Sequence, residues 1–408
     1  MRQLGSLLWA SLFCSASTAT QPSSGCSFPG SVPSGQTTAF EGGHLALPLG
    51  AGPFPLVMAF HGWGGSSSSG FNVGWQNHGL ASGYAVLSLQ GTAEDCAPAS
   101  CPSSWSGFGS TSSPNGPDGA ICESGFDACY PSCGRCADRC YWTTCVDSVA
   151  RVVKSLDALE AAACIDSSRI YATGCSNGGM FTFELSRDER IASRLAGFVP
   201  VVGLPHNGFN LRPTSPANLL GFWGREDTTV PPLSDGALGD SSKTKATGDG
   251  GGWYYSSSRN TTNLWAESAG LDVREGRTDQ TERWSAFAPS VDLMGLRCTG
   301  FEGDRVVECL FDGGHVCYMP FIQEIGWSFL QLHHAASATA PSSQSSPNHP
   351  TTVPSSSTTK LLTVDSPSSQ APEESSTVDS LSSRAPEEVA TAMLGAVVML
   401  GALAAAAL

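Results

Sequence analysis

The chain has 408 residues, 40% hydrophobic and only 14% charged, enough apolar material for one large domain with appendages. Its 21 basic residues face 36 acidic ones, a net charge of -15 with no basic cluster. That balance excludes nucleic acid as a partner, because duplex binding draws its affinity from Lys and Arg neutralising phosphates.

The first element, residues 1–19, has one positive charge, an apolar run too short to span a bilayer, and small residues near Ala19. It reads as a secretory signal peptide, and the protein is expected to be extracellular. Loss of Cys14 with that segment leaves 14 of 15 cysteines, an even number that predicts up to seven disulfides in an oxidising compartment. The alternative, zinc held by Cys133, Cys136, Cys140 and Cys145, lacks a matching histidine pair. No metal site is expected.

Residues 26–334 alternate short apolar runs with helical stretches. The runs 55–60, 84–89, 169–173, 198–202, 219–223 and 306–311 are almost continuously hydrophobic, as strands covered on both faces are. Val149, Val152, Val153, Leu156 and Leu159 form one helical stripe, and residues 319–334 read as a closing helix. The expected fold is a mostly parallel, doubly wound α/β sheet, with sites beyond the carboxyl ends of its strands. Residues 93–145, with eight cysteines, and the polar stretch 233–262 read as insertions, the first stapled and the second flexible. Asn260 in Asn260-Thr-Thr262 is a glycosylation sequon.

Gly174-Cys175-Ser176-Asn177-Gly178 follows the apolar strand and precedes the helix-like run 179–185. A strand, a tight turn and a helix with serine at the apex make a nucleophile elbow, the α/β-hydrolase device for exposing a hydroxyl. A serine alcohol needs a base and an acid to orient that base. His315 in Asp312-Gly-Gly-His315 is the base candidate and Asp227 in Arg225-Glu-Asp227 the acid, each following a strand in the order Ser, Asp, His. Glu226 and Asp312 are the rival carboxylates. The backbone N–H of Asn177 and that of Trp63 in His61-Gly-Trp-Gly-Gly65 are the expected oxyanion donors. This chemistry needs no cofactor. Trp63, Trp75, Trp105 and Trp253 are candidates either for an aromatic-accepting cleft or for packing, and Phe71 and Trp75 are candidates, with the loop 233–262, for a lid.

Residues 335–388 are Ser, Thr and Pro with a near-repeat, Val364 to Glu374 and Val378 to Glu388, and read as an unfolded, O-glycosylated stalk. Residues 389–408 are apolar with no basic residue after them. With small residues at Ser375-Ser-Thr377 they match a GPI-attachment signal at Ser375, the alternative being a transmembrane anchor.

The runs Leu56-Val-Met-Ala-Phe-His-Gly62, Ile165 to Met180, Gly224-Arg-Glu-Asp-Thr-Thr-Val-Pro231 and Gly313-Gly-His315 resemble the polyhydroxybutyrate depolymerase and feruloyl esterase family of α/β-hydrolases, over most of residues 40–330. The resemblance implies Ser176 as nucleophile, Asp227 as acid, His315 as base and the Trp63 turn in the oxyanion hole. It further implies a disulfide between Cys175 and Cys317, because some feruloyl esterases and tannases join the neighbours of serine and histidine in this way. Trp223, and Val316 to Pro320, depart from the family pattern at the expected pocket wall. A separate pairing, Cys298 with Cys309, would staple a hairpin. The expected activity is hydrolysis of feruloyl, acetyl or hydroxyalkanoate esters, in a plant cell-wall or polyester polymer or a soluble molecule, by a secreted or membrane-anchored enzyme. The competing expectation is an inactive adhesion or structural glycoprotein on the same scaffold.

Overall fold

A computed structural model of the protein describes residues 20–333, apart from 28–30, 97–98, 108, 111–114, 124–128, 135–139, 235–239, 249–250 and 275. The signal segment, the stalk with Ser375 and the apolar tail lie outside the described residues.

Among the described residues, ten strands form one sheet. In chain order the strands up to the insertion are β1 (Gln36–Phe40), β2 (Gly43–Leu47), β3 (Phe54–Phe60) and β4 (Ala85–Ser88). The insertion carries β5 (Thr92–Cys96), β6 (Ala99–Ser104), β7 (Asn115–Gly116) and β8 (Gly119–Ala120). The sheet resumes with β9 (Ile165–Cys175), β10 (Gly197–Val201) and β11 (Asn218–Gly224). A hairpin of β12 (Lys243–Lys245) and β13 (Tyr254–Ser256) intervenes before β14 (Thr278–Asp279), β15 (Arg297–Gly300) and β16 (Val306–Phe311).

The sheet order is β1-β2-β4-β3-β9-β10-β11-β16-β15-β14. The central strands β4, β3, β9, β10, β11 and β16 are parallel, and both edges are antiparallel. This is the expected α/β-hydrolase fold, a mostly parallel sheet with the strand–turn–helix of Ser176 at the carboxyl end of β9.

Alternation along each strand builds two cores. Leu56, Met58 and Phe60 of β3 face α2 (Ser148–Ala162), α3 (Asn177–Leu185) and α4 (Ser258–Ser268), in a core with Leu156, Phe181 and Trp265. Val57 and Ala59 face the other way, into a core with Trp75 of α1 (Gly70–Ser82), Trp284 of α5 (Thr281–Ser285) and Phe321 of α6 (Pro320–Leu332). Because the central strands are covered on both sides, every residue of β3 and β11 is buried.

Several expectations change here. Phe71 and Trp75 are core residues of α1, at 4% and 0% exposure, so neither belongs to a lid. The stretch 233–262 carries the β12–β13 hairpin and the first turns of α4, with Trp253 and Tyr255 buried. Asn260 therefore sits on a helix, half-buried, rather than in a loop. Six disulfides join described residues: Cys26–Cys164, Cys96–Cys101, Cys122–Cys140, Cys133–Cys145, Cys175–Cys317 and Cys298–Cys309. Those at Cys133, Cys140 and Cys145 consume the thiols that zinc would require. Cys298 and Cys309 stand directly opposite each other in the β15–β16 ladder.

His206, in the loop after β10, is fully buried and stacks on Tyr255. Its Nε2 accepts from the Trp142 indole at 3.1 Å, so Nδ1 keeps the proton and donates to Tyr254 O at 3.1 Å. One ring thereby ties the insertion and the hairpin to the sheet. Desolvation pushes the pKa of His206 down to about 4 from 6.5. The unfolded chain takes up this proton as the pH falls below 6.5, whereas the folded state resists until about 4, so stability is lost across that window. We expect this group alone to cost about 3 kcal/mol between those limits. Urea unfolding of wild type and His206→Asn should show a shallower acid slope in the variant; equal slopes would count against it.

Candidate active site

Ser176 stands between β9 and α3 with φ 53° and ψ -120°, a conformation L residues rarely hold. The turn is pinned by Ser176 N–H to Val201 O at 2.9 Å and by Met180 N–H to Ser176 O at 2.8 Å. Such sharpness needs backbone against backbone. A Cβ on Gly174 would lie 2.2 Å from Gly178 O, and one on Gly178 would lie 2.2 Å from Phe60 O. The glycines of the motif are thus required by close approach to β3 as well as by the turn itself.

Ser176, Asp227 and His315 come together although they lie far apart in sequence. His315 Nε2 is 2.9 Å from Ser176 Oγ, and His315 Nδ1 is 2.7 Å from Asp227 Oδ2. Asp227 is only 3% exposed, and its other oxygen accepts the N–H groups of Thr229 at 2.8 Å and Val230 at 2.9 Å. Both carboxylate oxygens are occupied, so the anion is compensated inside the protein and its orientation is fixed. Of the rivals, Glu226 is exposed and Asp312 pairs with Arg225.

The loop after β3 packs on the elbow: a Cβ on Gly62 would sit 3.4 Å from Ser176 Cβ. Neither the Trp63 nor the Asn177 backbone N–H is taken by an acceptor among the described residues. His61, fully buried, holds this loop. Gly91 N–H donates to its Nε2 at 2.9 Å, which leaves Nδ1 as the donor to Gly62 O at 2.7 Å. Burial lowers the His61 pKa, opposed by the bond to Gly62, so the ring is neutral and its tautomer single.

Cys175, immediately before Ser176, is bonded to Cys317, two residues past His315, with 5.4 Å between their Cα atoms. The four tryptophans divide. Trp63 is 40% exposed at the site, whereas Trp75, Trp105 and Trp253 are buried and pack. Trp223 is also core, its indole donating to Gly203 O at 2.9 Å, so it forms no pocket wall. Sequence reasoning missed Tyr130 and Trp142. The Trp63 indole donates to Tyr130 Oη at 3.0 Å and to Trp142 O at 3.1 Å, bonds between residues with no shared motif. A surface hollow of about 930 Å³ at Leu271, Arg283 and Phe301 contains none of these groups. No cluster of metal-ligating side chains occurs among the described residues.

No family model matches the sequence, and no curated protein matches it. Among solved structures, the chain is similar to esterase PE8, at 12% identity over 72% of this chain and 98% of that one, with a TM-score of 0.38. It is also similar to a Bacillus cereus carboxylesterase, at 14% identity over 68% and 89% of the two chains with a TM-score of 0.35. Arabidopsis thaliana SOBER1 follows at 13% identity, 68% and 97% coverage and a TM-score of 0.33. Likenesses this distant carry no argument about reaction or substrate, which rest on the site itself.

Proposed function

We propose that the protein is a serine hydrolase of carboxylic esters. The observation that carries this reading is the continuous relay from Ser176 Oγ through both nitrogens of His315 to the buried carboxylate of Asp227. Ser176 Oγ attacks the ester carbonyl and its proton passes to His315 Nε2, while Asp227 holds the Nδ1–H and stabilises the imidazolium. The carbonyl oxygen, now negative, is met by the N–H groups of Trp63 and Asn177. Collapse expels the alcohol, which takes the proton from Nε2, and water repeats the sequence on the acyl-enzyme.

Feruloyl, acetyl or hydroxyalkanoate esters are the substrate class we favour, supported by exposed apolar side chains on the loops that lead from the central strands. Trp63, Leu233 and Tyr318, all exposed, lie on the loops that follow β3, β11 and β16. The disulfides support an extracellular location. Membrane tethering through the C-terminal tail and glycosylation at Asn260 belong to the same proposal. Purified protein is expected to turn over p-nitrophenyl acetate, with kcat about 10⁶-fold lower in Ser176→Ala. A folded wild-type protein without turnover would favour the inactive surface glycoprotein instead.

A further inference from the structure

Trp105 lies just past β6 and is 1% exposed, yet it is more than filler. Its indole ring stacks on Phe181 of α3 with centroids 5.1 Å apart, and meets Phe60 of β3 edge-on at 5.1 Å. That packing fixes the direction of its Nε1–H, which donates to His61 O at 2.9 Å. Its backbone turns to the other side of the site, where Trp105 N–H donates to Asn177 Oδ1 at 2.8 Å and Asn177 Nδ2 donates back to Trp105 O at 3.1 Å. The residues before it bind the same loop: Gly64 N–H donates to Ser103 O at 2.8 Å and the Ser103 hydroxyl to Gly65 O.

The consequence follows from peptide geometry. Trp105 fixes the carbonyl of His61, and the His61 ring fixes the carbonyl of Gly62, as does Gly65 N–H at 3.0 Å. In a trans peptide the N–H points opposite to the preceding carbonyl, so holding Gly62 O aims the Trp63 N–H. Asn177, the other donor, is held through its side-chain amide by the backbone of the same tryptophan.

We infer that Trp105 is the positioning residue of the oxyanion hole, setting the separation and aim of the Trp63 and Asn177 N–H groups from one residue, through its indole on the first side and its backbone on the second. The inference rests on the reading of Ser176 as nucleophile. It makes the start of the cysteine-rich insertion part of the catalytic apparatus. Donors preset in this way stabilise charge that exists only in the tetrahedral state, so the effect belongs to kcat rather than to KM.

Trp105→Phe keeps the stacking and removes the bond to His61 O. With p-nitrophenyl acetate, kcat should fall about tenfold or more while KM stays within about twofold. Inhibition by butylboronic acid adds an independent reading. In the adduct a bond forms between Ser176 Oγ and boron, the serine proton moves to His315, and a boron-bound hydroxyl occupies the oxyanion position. Its Ki should rise by the same factor as kcat/KM falls. Near-UV circular dichroism establishes that the variant is folded at the assay temperature; if it is not, Asn177→Ala, which cuts the second tie, carries the same expectations. Folded variants with kcat and Ki within about twofold of wild type would overturn the positioning role, as would a loss of kcat/KM with Ki unmoved. Wild-type protein without turnover, or activity that survives Ser176→Ala, would overturn the nucleophile reading as well.

Discussion

Asp227→Asn is expected to lower kcat about 10⁴-fold while the protein still folds. The amide is nearly the same size as the carboxyl. Its oxygen can go on accepting from Thr229 and Val230 N–H, which hold the turn after β11. What changes is the group facing His315 Nδ1, now an N–H₂ donor where an acceptor stood at 2.7 Å. The imidazole answers by moving its proton to Nε2. That nitrogen then donates to Ser176 Oγ across 2.9 Å and has no lone pair left to take the serine proton. The check is kcat for p-nitrophenyl acetate at fixed pH beside the midpoint of thermal unfolding. A loss of activity matched by wholesale unfolding would not bear the tautomer argument, and neither would a variant with wild-type kcat.

Removal of the Cys175–Cys317 bond, by the double variant Cys175→Ala, Cys317→Ala, should reduce stability and activity together. The bond closes a loop of 142 residues between the strand that presents Ser176 and the segment that presents His315. Chain entropy assigns a crosslink of that span roughly 5 kcal/mol, lost when the unfolded chain is no longer constrained. Cys175 is fully buried, so alanine there also leaves space in the core beneath the elbow. The catalytic effect comes from slack: with the tether cut, the loop carrying His315 is no longer fixed to the residue beside Ser176, and small displacements at near-attack distance are costly. We expect kcat to fall about a hundredfold and the urea midpoint to drop in the double variant. Unaltered kcat in a protein shown by peptide mapping to lack the bond would refute the coupling.

Much of this architecture is written locally in the chain. Strands β3, β9, β10, β11 and β16 announce themselves because burial on both faces gives each an apolar run, broken in β9 and β16 by a few polar residues such as Asp166 and Glu308, and α2 does so through its stripe of Val and Leu. Helix α1 is silent. Its buried face includes Asn72, Gln76 and Gly79, so no apolar period survives, and the polar pair is buried because Asn72 donates to Ala59 O and Gln76 to Ser67 O and Ser88 Oγ. At the site, each of Ser176, Asp227 and His315 has a local signature, glycines or a strand end. The supports of the loop after β3 have none. Trp105 reaches His61 across 44 residues and Asn177 across 72, and the Trp63 indole reaches Tyr130 across 67. A tryptophan in a disulfide-rich stretch looks the same whether it holds a catalytic loop or fills a void, and only the three-dimensional meeting of its N–H with one particular carbonyl separates the two.

The N-terminal segment is laced to the opposite end of the strand that presents the serine. Cys26 is bonded to Cys164, Ser23 exchanges hydrogen bonds with Ile165, and Gln21 N–H reaches Asp166. Strand β9 runs from Ile165 to Cys175, so about 30 Å of extended backbone separates that lacing from Ser176. An affinity handle or fluorophore grafted ahead of Gln21 would therefore sit at the other end of that strand from Ser176, leaving the approach to Ser176 open when the protein is immobilised on a bead or sensor chip.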